Sequence, residues 1–282
     1  MYKNLRGWRK LLVVALIAVV SLTLVVGCSS ASKEPAASED MGTVNIGYVN
    51  WAECVAASNL WKVILEEQGY TVELTALDVA PLYVGLSKND VNLFLDSWLP
   101  ITHQTYWESY GDKIEDCGIW YEEPAKIGLV VPKYVTIDSI AQMKDEAAKF
   151  ESQIIGIDAG AGIMGAAAKA NENYALGFEV VQGSEAAMMA AMDKAYRNNE
   201  WIAITGWSPH WMFAKYDLKY LDDPNKDFGE AEEVHALANK EFATAQPEVV
   251  AMIKKFKMSD AQIGGLEALI NDGMDPLEAA KQ

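Results

Sequence analysis

From residue 44 onward, brief and almost wholly apolar runs alternate with stretches of helical periodicity, and this alternation restricts the fold more than any other feature. Strands are expected at 44–49, 72–77, 93–95, 127–131, 154–157, 178–181 and 201–205. Runs this short, rich in β-branched residues, are the mark of strands covered on both faces. Helices are expected at 54–68, 101–110, 139–150, 164–174 and 185–198, and the chain after Asp222 reads as mostly helical. The order calls for an α/β fold with parallel-rich sheets flanked by helices. The apolar strands at 127–131 and 201–205 are expected to cross between two lobes. Lobe one would then hold 42–130 and, with the C-terminal helices, 206–282; lobe two would hold 131–205. A 51% hydrophobic content supplies a core of that size.

The first residues read as an address. Lys3, Arg6, Arg9 and Lys10 precede an apolar run over 11–26 that ends at Gly27-Cys28. That is the layout of a secretory signal peptide over 1–27. This run of 16 residues, interrupted only by Ser21 and Thr23, falls short of the roughly 20 that a membrane span needs. Val25-Val26-Gly27-Cys28 resembles a bacterial lipobox, which makes Cys28 the expected lipidation site; an uncleaved N-terminal anchor is the alternative. Residues 28–41 are too poor in large apolar groups to pack and are expected to form a flexible tether. The folded body is therefore expected outside the cytoplasmic membrane, held to its outer face by lipid. Without residues 1–27, which hold four positive charges and no acid, the formal net charge moves from −17 to −21. Such acidity excludes nucleic acid as a natural partner. Cys54 and Cys117 could pair in an oxidising compartment, but two cysteines form no framework that requires it.

Nine tryptophans make their placement informative. Trp51, Trp98 and Trp207 each follow an expected strand and have polar neighbours. In open α/β sheets ligands bind beyond the carboxyl ends of the strands. Indole faces attract a cation, by about 0.5–1 kcal/mol when exposed and roughly 2 or more when desolvated. A quaternary ammonium offers no N–H to a carboxylate, so a box of rings suits it. The opposite charge has a place too. Residues 157–164 form a glycine-bearing turn between an expected strand and helix, where free backbone N–H groups favour an anion. His103 could donate one more hydrogen bond, although alone it reads as a solvent-facing histidine at a helix start.

Four separated motifs, Gly47-Tyr48-Val49-Asn50-Trp51, the 97–103 stretch from Ser97 to His103, the 156–164 glycine loop and the 205–213 stretch around Trp207, resemble the glycine betaine/proline betaine-binding proteins of ABC transporters. The resemblance implies a two-lobed periplasmic-binding-protein-like fold of type II, with the ligand in the interlobe cleft. It implies a tryptophan cage of Trp51, Trp98 and Trp207 for the quaternary ammonium. It also implies that the N–H groups of Gly162 and Ile163, with His103, hold the carboxylate. A permease with its cytoplasmic ATPase would be the partner, and hinge closure the mechanism. Some relatives carry the two halves in the opposite chain order. Ile101 departs from the family, which often has a polar residue there, and is expected to point away from the ligand.

Several features read more simply. Trp61, Trp107 and Trp201 are expected in the core or on a lobe surface, and His210 and Trp211 beside the site. Met188, Met189 and Met192, at helical spacing, are expected to pack. His235 is expected to be structural or exposed, and three scattered histidines argue against zinc. No cofactor is implied. The rival is a dinucleotide enzyme, because Gly160-x-Gly162-x-x-Gly165 fits the fingerprint and Glu179 lies in the next expected strand. No catalytic acid or base accompanies it, and neither a G-x-S-x-G elbow nor an H-E-x-x-H helix is present. A non-enzymatic binding protein is the better reading. Choline would leave the carboxylate donors unpaired, at roughly 1–3 kcal/mol each, so betaines are favoured over choline; carnitine and sulfonium analogues stay open.

Overall fold

The computed structural model describes residues 41–282. The expected signal peptide, the lipidation site Cys28 and nearly all of the tether lie outside the described residues.

Two five-stranded sheets organise the body. Sheet one is built from β1 (Thr43–Tyr48), β2 (Thr71–Ala76), β3 (Leu93–Leu99), β4 (Ile114–Ile119) and β10 (Glu233–Asn239), in the order β2-β1-β3-β10-β4. Sheet two is built from β5 (Lys126–Pro132), β6 (Gln153–Ile155), β7 (Glu179–Val181), β8 (Ile204–Ser208) and β9 (Leu218–Tyr220), in the order β7-β6-β8-β5-β9. The expected parallel-rich character holds. In each sheet one strand, β10 or β5, runs against its neighbours, and the rest share a direction.

In lobe one the crossovers are α1 (Ala52–Glu67) and α2 (Val79–Lys88), and α3 (Gln104–Tyr110) follows β3. In lobe two they are α4 (Gly162–Asn173) and α5 (Glu185–Asn198), and the short α6 (Met212–Lys215) follows β8. The remaining helices, α7 (Lys240–Ala245), α8 (Pro247–Ile253), α9 (Asp260–Asn271) and α10 (Pro276–Ala279), belong to lobe one, with α9 and α10 packed on α1. Among the described residues no helix is long and apolar enough to cross a membrane.

Apolar side chains from both faces of the strands make the core, as their unbroken character requires. Ile46, Leu93, Phe94, Leu95 and Leu237 are buried in lobe one, and Leu129, Val130, Ile154 and Ile204 in lobe two. Met188, Met189 and Met192 line the buried side of α5, which Ser184 caps by accepting the N–H of Ala187. The helix expected over 139–150 is a 3-10 helix (Ile140–Phe150), opened by a Ser139–Gln142 capping box and kinked at Glu146. Cys54 and Cys117 are both free and buried.

The lobe boundaries differ from expectation. The strands at 127–131 and 201–205 do not cross between lobes. The first is β5 and the second overlaps β8, and the two pair antiparallel inside sheet two. The chain instead changes sheets in the stretches 120–125 and 221–232, which touch where Ala125 and Glu232 exchange backbone N–H···O bonds. The strands of sheet two accordingly begin at Lys126 and end at Tyr220. The chain after Asp222 is also not simply helical, because β10 inserts between β3 and β4.

Candidate functional site

All six sequence-predicted residues, Trp51, Trp98, His103, Gly162, Ile163 and Trp207, line one cavity between the lobes, with an empty volume of about 300 Å³. Each reaches it from the carboxyl end of a strand. Trp51 follows β1 and is the residue before α1. Trp98 and Trp207 were expected just beyond their strands; each is instead the penultimate residue of one, β3 or β8, followed by a cis Leu99–Pro100 or Ser208–Pro209 bond. The loop after β6 delivers Gly162 and Ile163 as the first two residues of α4. The N–H groups there have no intrahelical acceptor.

The three indoles are buried, and every indole N–H is spoken for by a carboxyl oxygen. Trp98 Nε1 donates to Asp96 Oδ1 at 2.8 Å. Trp51 Nε1 donates to Asp158 Oδ2 at 3.1 Å, and Trp207 Nε1 donates to Glu53 Oε2 at 2.8 Å. The edges of the rings are thus held by hydrogen bonds where the three indoles line the cavity. Glu53 and Asp96 are fully buried acids, held toward the neutral form. Burial raises the Asp96 carboxyl to about 8, against the opposing hydrogen bond from Trp98. Burial raises Glu53 well above the usual range, helped by the nearby Asp96, Glu267 and Glu185.

His103 is a buried side chain rather than a solvent-facing one. Its Nδ1 accepts the backbone N–H of Trp98 at 3.0 Å, so in the neutral ring the proton sits on Nε2. Burial depresses its pKa to about 3, which keeps the ring neutral. Nε2 has no hydrogen-bond partner. It is a buried, unspent donor in the cavity wall, stacked beside Trp51 at a ring separation of 6.0 Å and 18°.

The loop at 158–162 comes up against the turn after Trp98. A Cβ on Gly162 would collide with the Thr102 carbonyl, so only glycine allows this approach. Glu232 braces the turn by accepting the N–H groups of Ile101 at 2.8 Å and Thr102 at 2.6 Å and the Thr102 hydroxyl. Ile101 is 40% exposed and lies off the cavity lining.

Residues near the site take other places. His210 packs edge-on against Trp207, its Nε2 on Glu185 Oε1 at 3.1 Å and its Nδ1 accepting the N–H of Met212. Trp211 lines a separate cavity behind Trp51. Trp61 is core; Trp107 and Trp201 are half-buried, the latter under the Lys149 ammonium. His235 lies on β10 beside Asp116. Sequence reasoning missed Glu53, Asp96 and Asp158. Of these, Asp96 was within reach, because residues two apart on a strand share a face.

Residues 42–282 match a protein family described as the substrate-binding domain of ABC-type glycine betaine transport systems. A stretch of 142 residues is 39% identical to the glycine betaine/carnitine transport binding protein of Listeria monocytogenes. That match takes in 49% of this chain and 47% of the relative, so the chain spans about half the length of that protein. Over 245 residues it is 26% identical to the glycine betaine/proline betaine-binding periplasmic protein of Escherichia coli K12, covering 74% of each. Among solved structures, the closed-liganded lactococcal OpuAC complexed with glycine betaine aligns with a TM-score of 0.80 and 36% identity, over 85% of this chain and 94% of that one. An ABC-transporter choline-binding protein in complex with choline aligns at 0.78 and 26%, over 84% and 86%.

Proposed function

Because the chain belongs to the family of substrate-binding domains of ABC-type glycine betaine transport systems, we propose that it captures glycine betaine, or a close betaine, outside the cytoplasmic membrane. It then presents the ligand to a permease driven by a cytoplasmic ATPase. Lipid on Cys28 would keep it at that membrane. It carries out no covalent step.

The observation that carries this reading is the unspent Nε2–H of His103 in a cavity walled by three indoles. A trimethylammonium group suits the ring faces of Trp51, Trp98 and Trp207, where desolvation raises each cation–π contact to roughly 2 kcal/mol or more. The neutral His103 and the first amides of α4 meet the carboxylate without bringing a net charge. Trp51, Trp98 and His103 come from lobe one and Trp207 and the amides from lobe two, so the ligand bridges the lobes and favours the closed form by its differential affinity.

Choline is the second reading, because a solved relative of similar fold holds it. It fills the cage but leaves His103 Nε2 unpaired. A dinucleotide fits poorly, since the Thr102 turn occupies the space over Gly162 that a pyrophosphate would need.

Calorimetric titration with glycine betaine, choline and NAD tests the reading. Saturable one-to-one binding of betaine, weaker binding of choline and silence with NAD are expected. Trp98→Ala should weaken betaine by at least about 1 kcal/mol, roughly fivefold. Equal affinity for choline and betaine would remove the role of His103, and failure of both to bind would remove the cage.

A further inference from the structure

The indole–carboxylate bonds divide by lobe. Trp98 finds its acceptor, Asp96, two residues earlier on its own strand. The other two reach across the cleft. Trp51, of lobe one, donates to Asp158 in the loop after β6, and Trp207, on β8 of lobe two, donates to Glu53 in the first turn of α1. Trp207 has no acid of its own at the position matching Asp96. Thr205 stands there, and its hydroxyl faces the Met188 sulfur at 3.5 Å.

We propose that Glu53 and Asp158 are positioning residues that the lobes exchange, each accepting the indole N–H of the opposite lobe's cage tryptophan, so that the cage is completed only on closure. The proposal rests on reading the cavity as a betaine cage and adds what holds the cage shut.

Three features point the same way. A carboxylate at Nε1 fixes the rotation of the ring about its long axis and leaves the face free. It also draws the N–H dipole outward, along the ring edge and away from the face that a cation would meet. Asp158 links both ends of the ligand site. Its side chain holds the cage indole Trp51, while its carbonyl accepts the N–H of Ala161, the residue that opens α4. Closure that brings up the anion loop therefore also sets Trp51. Further bonds cross at the same place, from Ala52 N–H to Glu185 Oε2 and from the Tyr106 hydroxyl to the Gly160 carbonyl, each at 2.9 Å. They join backbone to side chain and do not touch an indole.

Solvent exchange of the indole protons in protein labelled with 15N-tryptophan provides the test. Addition of glycine betaine should slow exchange at Trp51 and Trp207. Trp98, already bonded within its own strand, should be protected with and without ligand and serves as the control. Glu53→Ala should abolish the slowing at Trp207 and speed betaine release about tenfold, as loss of one buried hydrogen bond implies. Glu53→Gln, whose amide oxygen still accepts, should keep both properties. Asp158→Ala and Asp158→Asn should behave likewise at Trp51. Equal protection of Trp51 and Trp207 with and without betaine would overturn the proposal. So would off-rates in both alanine variants within about twofold of the parent, since affinity changes at one interface fall mainly on release. A parent protein that binds neither betaine nor choline would sink the functional reading and this inference with it. Binding by the parent with unaffected variants would sink the inference alone.

Discussion

Lobe one and lobe two are laid out on the same strand order, with β10 and β5 as the strand that runs against the others, yet they hand different groups to the cleft. Each ends a central strand with a tryptophan, a single intervening residue and a cis-bonded proline, and each follows with a histidine: His103 in one, His210 in the other. In both histidines Nδ1 accepts a backbone N–H, so both present Nε2 as the donor. The difference lies in what Nε2 meets. His210 spends it on Glu185, whereas His103 keeps it for the cavity. Lobe one thus supplies two rings and a neutral donor, and lobe two one ring and the amides of α4. On a shared scaffold the two lobes thus differ by one histidine left without a partner, not by an added charge.

The largest effect should come from closing the gap between the lobes. In Gly162→Ala the added methyl collides with the Thr102 carbonyl, a backbone atom that cannot swing aside. Closure should fail and betaine affinity fall by at least about a hundredfold, the scale of a lost two-point grip on the ligand. The melting temperature without ligand should hold, because the clash exists only across the cleft. Gly165→Ala, which meets nothing within 4 Å, should bind like the parent. If both substitutions were equally harmful, the loop would be acting as a glycine fingerprint rather than as a contact between lobes.

Exchanging the two histidines' roles should have the next largest effect. His103→Ala should weaken betaine about tenfold and choline little, because only betaine has a carboxylate to lose. His210→Ala should do the reverse of a binding defect: it leaves Glu185 short of a partner and lowers stability, with betaine affinity changing within about threefold. Calorimetry with both ligands, beside thermal melts, separates the two. Equal losses of betaine and choline in His103→Ala would mean that the ring supports Trp51 and does not grip the ligand.

Much of this was legible in the chain because the signals were local. The apolar strands expected from 44 to 181 fell within a residue or two of their places, except that β3 runs on to Leu99, and the tryptophan motifs with the glycine loop named six of the eleven residues that line the cavity. The misses share one cause. β10, Glu-Val-His-Ala-Leu-Ala-Asn, carries alanine and leucine that suit a helix, and becomes a strand only by slotting between β3 and β4. The strands at 127–131 and 201–205 looked like crossings because they are apolar, when that character serves burial in sheet two. Glu53 and Asp158 stand 154 and 107 residues from their indoles, and no local pattern ties such pairs together.

The effect expected to be smallest on binding is one of stability, and it concerns the acid that lobe one has and lobe two lacks. Asp96 holds its proton to about 8 in the folded protein against an ordinary 3.8, because burial penalises its charge. Between those values the folded state binds a proton that the unfolded state has released, so stability falls as pH rises, by at most about 1.4 kcal/mol per unit. Glu267, raised from 4.5 to about 8 by burial, pulls in the same direction. His103 works the other way, since its depressed value makes stability fall as pH drops from 6.5 toward 3. Asp96→Asn keeps an oxygen for the Trp98 indole and removes the proton. Melts at pH 5.5 and 8 should therefore differ less in the variant than in the parent, with the gain confined to the alkaline side. Thr205, in the matching place of lobe two, has no charge to titrate, and Thr205→Val should leave the slope as it is. If Asp96→Asn did not flatten the slope, Asp96 would be ionised beneath its indole. The cage floor would then carry a full negative charge before any ligand arrived.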